Sequence, residues 1–446
     1  MSGSPAELMV GGFTYNKRLF EENNKRSDKI RYDDKVDPYI VHDRIDIGDT
    51  VSFCGEMNTL PTATQPLSGF ETYTRNKWGV FPHAKVQLRS IPTQKNALTK
   101  VIQTTGAVTL QNYVRKKAGI KAAFHHVIGA VIVAVHESGA FWTRHLQATS
   151  AEDGSFYDLD RYITGGKVIT GHRVVALTYG DIHHEKLDPV VAKQSWGYDV
   201  VSRRVDPAHP CLENWLRPEH RFIHDLSDFT PRNHHNVKDH HFRFVTHQTS
   251  TANVEAALLG CAAFISEISK PRYEGDESET VIVQSNHDNA LMTWLKTADY
   301  KVDPENAVFF LECELEIHRW LQTGNQCPIF ELVLQKAGIP ENVLFVGEDD
   351  SFITCGDIEN AMHGHLGANG AKASPAAFTR MGSKSITGHS HSPSITDGNV
   401  TVGVSGSLDM GYNKGLSSWL HCHAITQPNG KRQLLVMSHG RFSEVV

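Results

Sequence analysis

No apolar run in these 446 residues approaches the roughly 18 that a membrane-crossing helix needs, so no membrane partner is expected. The opening Met1-Ser2-Gly3-Ser4-Pro5 has neither the charged nor the apolar region of a secretory signal. Cysteine is scarce and odd in number: seven residues, none spaced Cys-x-x-Cys. That spacing indicates neither a cysteine zinc site nor a disulfide framework. Together these absences predict a reducing, cytoplasmic setting. Acid is missing from one long stretch, with no Asp or Glu between Thr72 and His136 although the chain carries a net charge of −6. That window holds Arg75, Lys77, Lys85, Arg89, Lys95, Lys100, Arg115, Lys116, Lys117 and Lys121. A basic segment in an acidic protein is a local electrostatic footprint, a candidate track for phosphates.

The length predicts more than one domain, or one large domain with an accessory region. Residues 1–50 are polar and mixed in charge and read as an extension. Residues 51–168 show short β-type runs, among them Ile128–Val135 and the return strand Phe141–Leu146 across the turn Glu137-Ser138-Gly139, and predict a β-rich accessory domain carrying the basic window. From 169 to 446 strands alternate with helices. Arg173–Tyr179, Arg221–Ile223 and Thr280–Gln284 read as strands. Ala252–Ser269, capped by Thr251, and the spans 289–298, 304–323 and 328–338 read as helices. Asn342–Val346 and Ser351–Cys355 are strand-like, a short helical piece is expected before Met362-His363-Gly364-His365, and strand candidates follow near 400–406, 417–426 and 433–438. The expected architecture is α/β, two sheets face to face and flanked by helices.

What is abundant is histidine, 26 residues that cluster after position 180. Several stand with carboxylates at predicted strand ends, where open α/β sheets place their sites. Asp181 and His183 follow one strand, Asp225 another, Asn286-His287-Asp288 a third, and His389 and His391 a fourth; His363 stands on a loop. Carboxylate, imidazole and amide oxygen together suit Mn²⁺, Fe²⁺ or Zn²⁺. These groups suffice for two ions if one carboxylate bridges, and a pair about 3.5–4 Å apart serves phosphoryl displacement.

The order Asp-x-His, Asp-x-x-Asp, Asn-His-Asp, His, Gly-His-x-His resembles the calcineurin-like metallophosphoesterase superfamily over about residues 170–446. Two positions depart from it: His224 and Ser285 stand where that pattern has glycine. The resemblance implies that Asp181, His183, Asp225 and His391 hold one ion, and that Asp225, Asn286, His363 and His389 hold the other. The ions would be Mn²⁺ foremost, with Fe²⁺, Zn²⁺ or Mg²⁺ as alternatives. It also implies that His287 faces substrate and protonates the leaving oxygen, with Asp288 orienting its ring. His363 and His365 both remain open as the loop ligand, His363 being favoured as the first of the pair. Three phrases, Thr104-Thr105-Gly106-Ala107-Val108-Thr109, Phe124-His125-His126 and His363-Gly364-His365-Leu366-Gly367, carry a closer resemblance to early host-DNA-degrading phosphoesterases of large tailed bacteriophages.

Other histidines read more plainly. His234, His235, His240 and His241 are expected in a solvated loop, His125-His126 as a structural pair, and His421-Cys422-His423 on one alternating strand. The basic window also contains Tyr73, Trp78, Phe81, Tyr113 and Phe124, and cations interleaved with aromatics fit a phosphate track with stacking platforms. Arg115, Lys116, Lys117 and Lys121 are its densest part. The expected function is a metal-dependent deoxyribonuclease, acting in a host cytoplasm if phage-encoded. The alternatives are a phosphatase or small-molecule phosphodiesterase of the same superfamily, or a catalytically inactive scaffold. The sequence leaves a homo-oligomer open.

Overall fold

The structure, a computed structural model, describes residues 6–12, 33–150, 152–233, 236 and 239–442. His234, His235 and half of the expected N-terminal extension, residues 1–5 and 13–32, lie outside the described residues.

After a short parallel pair, Val10–Gly11 with Ile40–Val41, come five strands: β1 (Arg44–Ile47), β2 (Val51–Cys54), β3 (Trp78–Phe81), β4 (Leu88–Ile91) and β5 (Lys100–Thr104). Helix α1 (Lys117–His125) and a hairpin of β6 (Gly129–Val135) and β7 (Phe141–Gln147) follow. Then strands and helices alternate: β8 (Ala176–Thr178), α2 (Pro189–Trp196), β9 (His220–His224), α3 (Val254–Ile268), β10 (Glu279–Val283), α4 (Ala290–Thr297), α5 (Ala307–Gln322), α6 (Ile329–Lys336) and β11 (Val343–Val346). After β11 come β12 (Ile353–Thr354), β13 (Ile358–Glu359), α7 (Pro375–Phe378), β14 (Lys384–Thr387), β15 (Ser394–Thr396), β16 (Asn399–Thr401), β17 (Cys422–Thr426) and β18 (Arg432–Val436).

A six-stranded sheet has the order β11-β10-β9-β8-β17-β18. Its first four strands are parallel, and each successive one adds on the same side of the last. Right-handed crossovers stepping always in one direction put their helices on a single face. The burial follows. Leu177, Ile223 and Ile282 point into a core with Val191, Trp196, Phe264 and Ile265 of α2 and α3. Their neighbours Ala176, Phe222, Val281 and Val283 point the opposite way. Buried on both faces, these strands are continuously apolar, as the sequence shows. Each fully buried aliphatic side chain contributes about 1.5–3 kcal/mol, which fixes the strand ends firmly.

The second sheet has ten strands, in the order β12-β13-β14-β16-β15-β4-β5-β3-β2-β1. One core joins Cys422, Ala424, Leu434 and Val436 of the first sheet to Val51, Trp78, Leu88, Ile386 and Val400 of the second. The two sheets therefore meet across it. This corrects the expectation of a separate domain over 51–168. Strand β4 pairs with β15, Leu88 opposite Ile395 and Arg89 opposite Ser394, and Ser90 donates to the Pro393 carbonyl across 303 residues of sequence. The hairpin packs against the other sheet, where Gln433 Nε2 donates to the His145 carbonyl.

Two local expectations also change. The cap of α3 is Asn253, whose side chain accepts from Ala256 N at 2.7 Å, not Thr251. The segment ahead of Met362 forms the short strands β12 and β13 and no helix. No helix among the described residues is long and apolar enough to cross a membrane.

Candidate metal centre

Strands β8, β9 and β10 of one sheet and β14 of the other end at the same place, and the loops after them carry the candidate ligands. Asp181, His183, Asp225 and His391 offer ligand atoms all within 4.8 Å of one another; Asp225, His363 and His389 form a second such group. The two groups share Asp225. His391 Nε2 lies 3.1 Å from Asp181 Oδ2, and His183 Nε2 lies 3.5 Å from Asp225 Oδ2. On the other side of Asp225, His363 Nε2 is 3.3 Å from Oδ2 and 3.2 Å from Asn286 Oδ1. Asp181, His183, Asp225, His363 and His391 are buried, while Asn286 and His389 are half-buried.

The loop backbone is bent hard to achieve this. His183, Asp225, His389 and His391 all take left-handed φ angles, 47°, 44°, 69° and 55°. Such conformations cost of order 1–3 kcal/mol each in a non-glycine residue and gather where a site over-determines them. Gly388 has no alternative: a Cβ there would stand 2.1 Å from Asp181 Oδ1. Its neighbour His389 donates its backbone N–H to Asp181 Oδ2 at 2.7 Å, locking the last motif onto the first.

The donor set fits metal ions. Asp181 Oδ1 and Asp225 Oδ1 are buried without a hydrogen-bond partner among the described residues, a costly state for an isolated carboxylate oxygen. The Nε2 atoms of His183 and His391 face each other at 3.0 Å, an arrangement that needs a proton or a cation between two lone pairs. Burial opposes the charge on Asp225, yet the rings of His363 and His287 hold its carboxyl well below the usual range. Burial likewise works against protonating His363, but Asp225 and Asp181 push it up to about 9. A field that retains a proton on a buried imidazole is one that favours a cation.

The pair expected to face substrate, His287 and Asp288, is held differently from expectation. His287 is buried beside His183, ring centroids 4.7 Å apart. Its Nδ1 meets the Asp228 backbone carbonyl at 3.1 Å. The Asp288 carboxylate accepts from Ser227 N–H at 3.2 Å and from the Ser285 hydroxyl at 2.8 Å. It therefore braces two loops, and the Asp228 carbonyl orients His287. Burial, then the charge of Asp225, raises Asp288 to about 7. Serine at 285, where the resembled pattern has glycine, thus has a bonding role. His224 is buried at the other departure.

The remaining histidines separate cleanly. His365 Nε2 lies 3.0 Å from Glu348 Oε1, so His363 is the loop residue that reaches Asp225. His126 is satisfied by the Tyr113 hydroxyl and the Thr109 carbonyl, both at 2.8 Å. His423 Nδ1 accepts from Gly180 N–H at 3.0 Å, buttressing the residue before Asp181, and His421 Nε2 faces the Gly406 carbonyl at 3.0 Å. His240 and His241 begin a helix, His240–Gln248, capped by Asp239.

Sequence reasoning gave no role to Asp228, Lys186, Tyr412 or Trp419. Asp228 is buried with Oδ1 3.3 Å from His183 Nδ1 and Oδ2 3.0 Å from Lys186 Nζ. A carboxylate behind a metal-binding imidazole fixes its tautomer, and the Asp-x-x-Asp spacing was the available signal. Tyr412 lies near-parallel to His287 at 6.5 Å, and Trp419 meets His391 edge-on at 4.2 Å. Both stand on a loop with no sequence signature. Lys95 of the basic window holds that loop, donating to Asp409 Oδ1 at 2.6 Å and to the Asn413 carbonyl at 2.7 Å.

The rest of the basic window is only partly available. Lys77, Lys85 and Arg89 pair with Asp46, Asp397 and Glu71, and Lys100 is buried against backbone carbonyls. Trp78 and Phe81 are core residues, which removes them as stacking platforms. Arg115 and Lys116 just before α1 and Lys117 and Lys121 within it remain exposed, with no acidic partner among the described residues, and Phe124 beside them is 83% exposed.

Fold and site together define an α/β protein with buried histidine–carboxylate clusters able to hold metal. No model of a known protein family matches the chain, and no solved structure matches it. It is 40% identical over 447 residues to protein A1 of Escherichia phage T5, covering 98% of this chain and 77% of the phage protein. The chain belongs to the family of that bacteriophage protein.

Proposed function

We propose that the chain is a metal-dependent phosphoesterase that hydrolyses phosphodiester bonds in DNA, working in a host cytoplasm. The observation that carries this is the pair of ligand groups joined at Asp225, each completed from a different strand end. Two sheets meeting over one core, with strand ends converging on that pair, fit a metallophosphoesterase sandwich. Asp181, His183, Asp225 and His391 would hold one divalent ion, and Asp225, Asn286, His363 and His389 the other. Mn²⁺ suits this mixed donor set, as do Fe²⁺ and Zn²⁺. When bound, such a pair supplies activation of water and neutralisation of charge on a phosphoryl group.

The chain's own residues supply the rest. The Asp228 carbonyl accepts from His287 Nδ1–H, which makes Nε2 the ring nitrogen that would donate a proton to a departing oxygen. Asp288 holds the loop of Asn286 against that of Ser227. Lys186 adds a positive charge beside Asp228 and under the Tyr412 ring, its Nζ 4.8 Å from the centroid.

Polymer binding is assigned to Arg115, Lys116, Lys117 and Lys121. A second reading, a phosphoesterase for small substrates, draws support from the neutralised half of the basic window. The two separate on a charge reversal of Arg115, Lys116 and Lys117 to Glu, assayed with Mn²⁺ on DNA and on bis-nitrophenyl phosphate. If these residues track DNA, the slope of log affinity against log salt flattens by about 2–3 units. DNA cleavage then falls while the small diester is still hydrolysed. An unchanged ratio of the two activities would overturn the polymer assignment.

A further inference from the structure

Beside His389 of the candidate metal centre opens a cavity of about 210 Å³. Its walls include Ala373, Ser374, Pro375 and Phe378 on one side and His389 and Ser390 on the other. At roughly 30 Å³ per water this is space for about seven waters, enough for one flat ring system and too little for a peptide. The lining is apolar in Ala373, Pro375 and Phe378 and also includes Ser374 and Ser390. Ser374 makes no capping bond to the helix it precedes, and Ser390 Oγ reaches the Ser392 carbonyl only at 3.3 Å.

Because His389 belongs to both the cavity wall and the Asp225 group, an occupant of the cavity would lie next to whatever group sits at the metal centre. A phosphate there carries a sugar and, in DNA, a nucleobase within the reach of that wall. The base offers a flat apolar face to Phe378 and Pro375 and polar edges to Ser374 and Ser390, the two features the cavity presents.

We infer that this cavity is a nucleobase subsite, seating a base next to the phosphate being cleaved. The inference rests on the phosphoesterase reading above and deepens it. Base-on-aromatic contacts are sequence-tolerant, so the pocket confers a preference for nucleotide esters over base-free ones and no strong choice among bases.

The test compares two diesters with the same leaving group: thymidine 5′-(p-nitrophenyl phosphate), which bears a base, and methyl p-nitrophenyl phosphate, which does not. The full-length Mn²⁺-loaded protein is assayed as wild type, as Ala373→Leu, which fills the cavity from a half-buried loop position, and as Phe378→Leu, which removes the ring but keeps apolar volume. Wild type is expected to favour the nucleotide ester in kcat/KM by at least about tenfold. Ala373→Leu should abolish most of that preference through KM, with kcat, bound Mn²⁺ and methyl-ester activity retained; Phe378→Leu should do the same more weakly. A preference that is absent in wild type, or unchanged in both variants, overturns the subsite and leaves the phosphoesterase reading standing. Equal losses on both esters also overturn it, since the walls would then serve only to support His389. Hydrolysis of neither ester by wild type overturns the phosphoesterase reading and the subsite with it.

Discussion

The loops after the strands and the segment leading into α1 are both dense in polar residues, yet they are built in opposite ways. In the loops, side chains converge, are buried, and take strained backbone angles to meet at Asp225. At the start of α1, Arg115, Lys116 and Lys117 are exposed and held by no acidic neighbour among the described residues. The first arrangement tolerates few replacements because each group is fixed by several others. The second acts through summed charge, where any one residue is dispensable. Substitutions at the strand ends should therefore act on rate and metal with any diester, and substitutions at the start of α1 on DNA cleavage and its salt dependence.

The sharpest break in that comparison is Asp225→Asn. The carboxylate serves both ligand groups, so hydrolysis of any phosphodiester should fall by several orders of magnitude while the circular dichroism spectrum stays native. Near-native turnover would dissolve the distinction between the two regions.

His287→Ala should come next. If, as proposed, the ring donates to the departing oxygen, the rate with a poor leaving group should drop roughly 10²–10⁴-fold with metal content unchanged. With an activated nitrophenyl ester the loss should be far smaller. Equal losses on both would remove His287 from the acid role.

Asp228→Asn sharpens the contrast at its mildest point. It leaves every proposed ligand in place but alters the partner 3.3 Å from His183 Nδ1. Mn²⁺ affinity should weaken about 10–100-fold, and excess Mn²⁺ should restore most of the rate. A defect that metal cannot rescue would mean that Asp228 acts elsewhere.

The same contrast explains what could be read from the chain. Strands β8, β9 and β10 were legible because burial on both faces makes them continuously apolar, and the groups that follow them are short-range neighbours of those runs. The placement of Asp181, His183, Asp225, Asn286, His363, His389 and His391 in one cluster followed from motif order. The joining of β4 to β15 was not legible, since strand pairing across some three hundred residues leaves no local mark. Nor were the partners of Lys77, Lys85 and Arg89. A window free of acid in sequence meets acid in space, so ten cations became four that stand exposed together. Ring orientation at His287 turned on a backbone carbonyl, which every residue possesses and no sequence displays.

The central claim is that Asp225 joins two metal sites. Equilibrium dialysis against Mn²⁺, with bound metal counted by atomic emission, tests it most directly. Wild type should bind about two ions per chain, His391→Ala about one, and Asp225→Asn neither with comparable affinity. Full Mn²⁺ occupancy retained by Asp225→Asn, or no high-affinity Mn²⁺ in wild type, would contradict it.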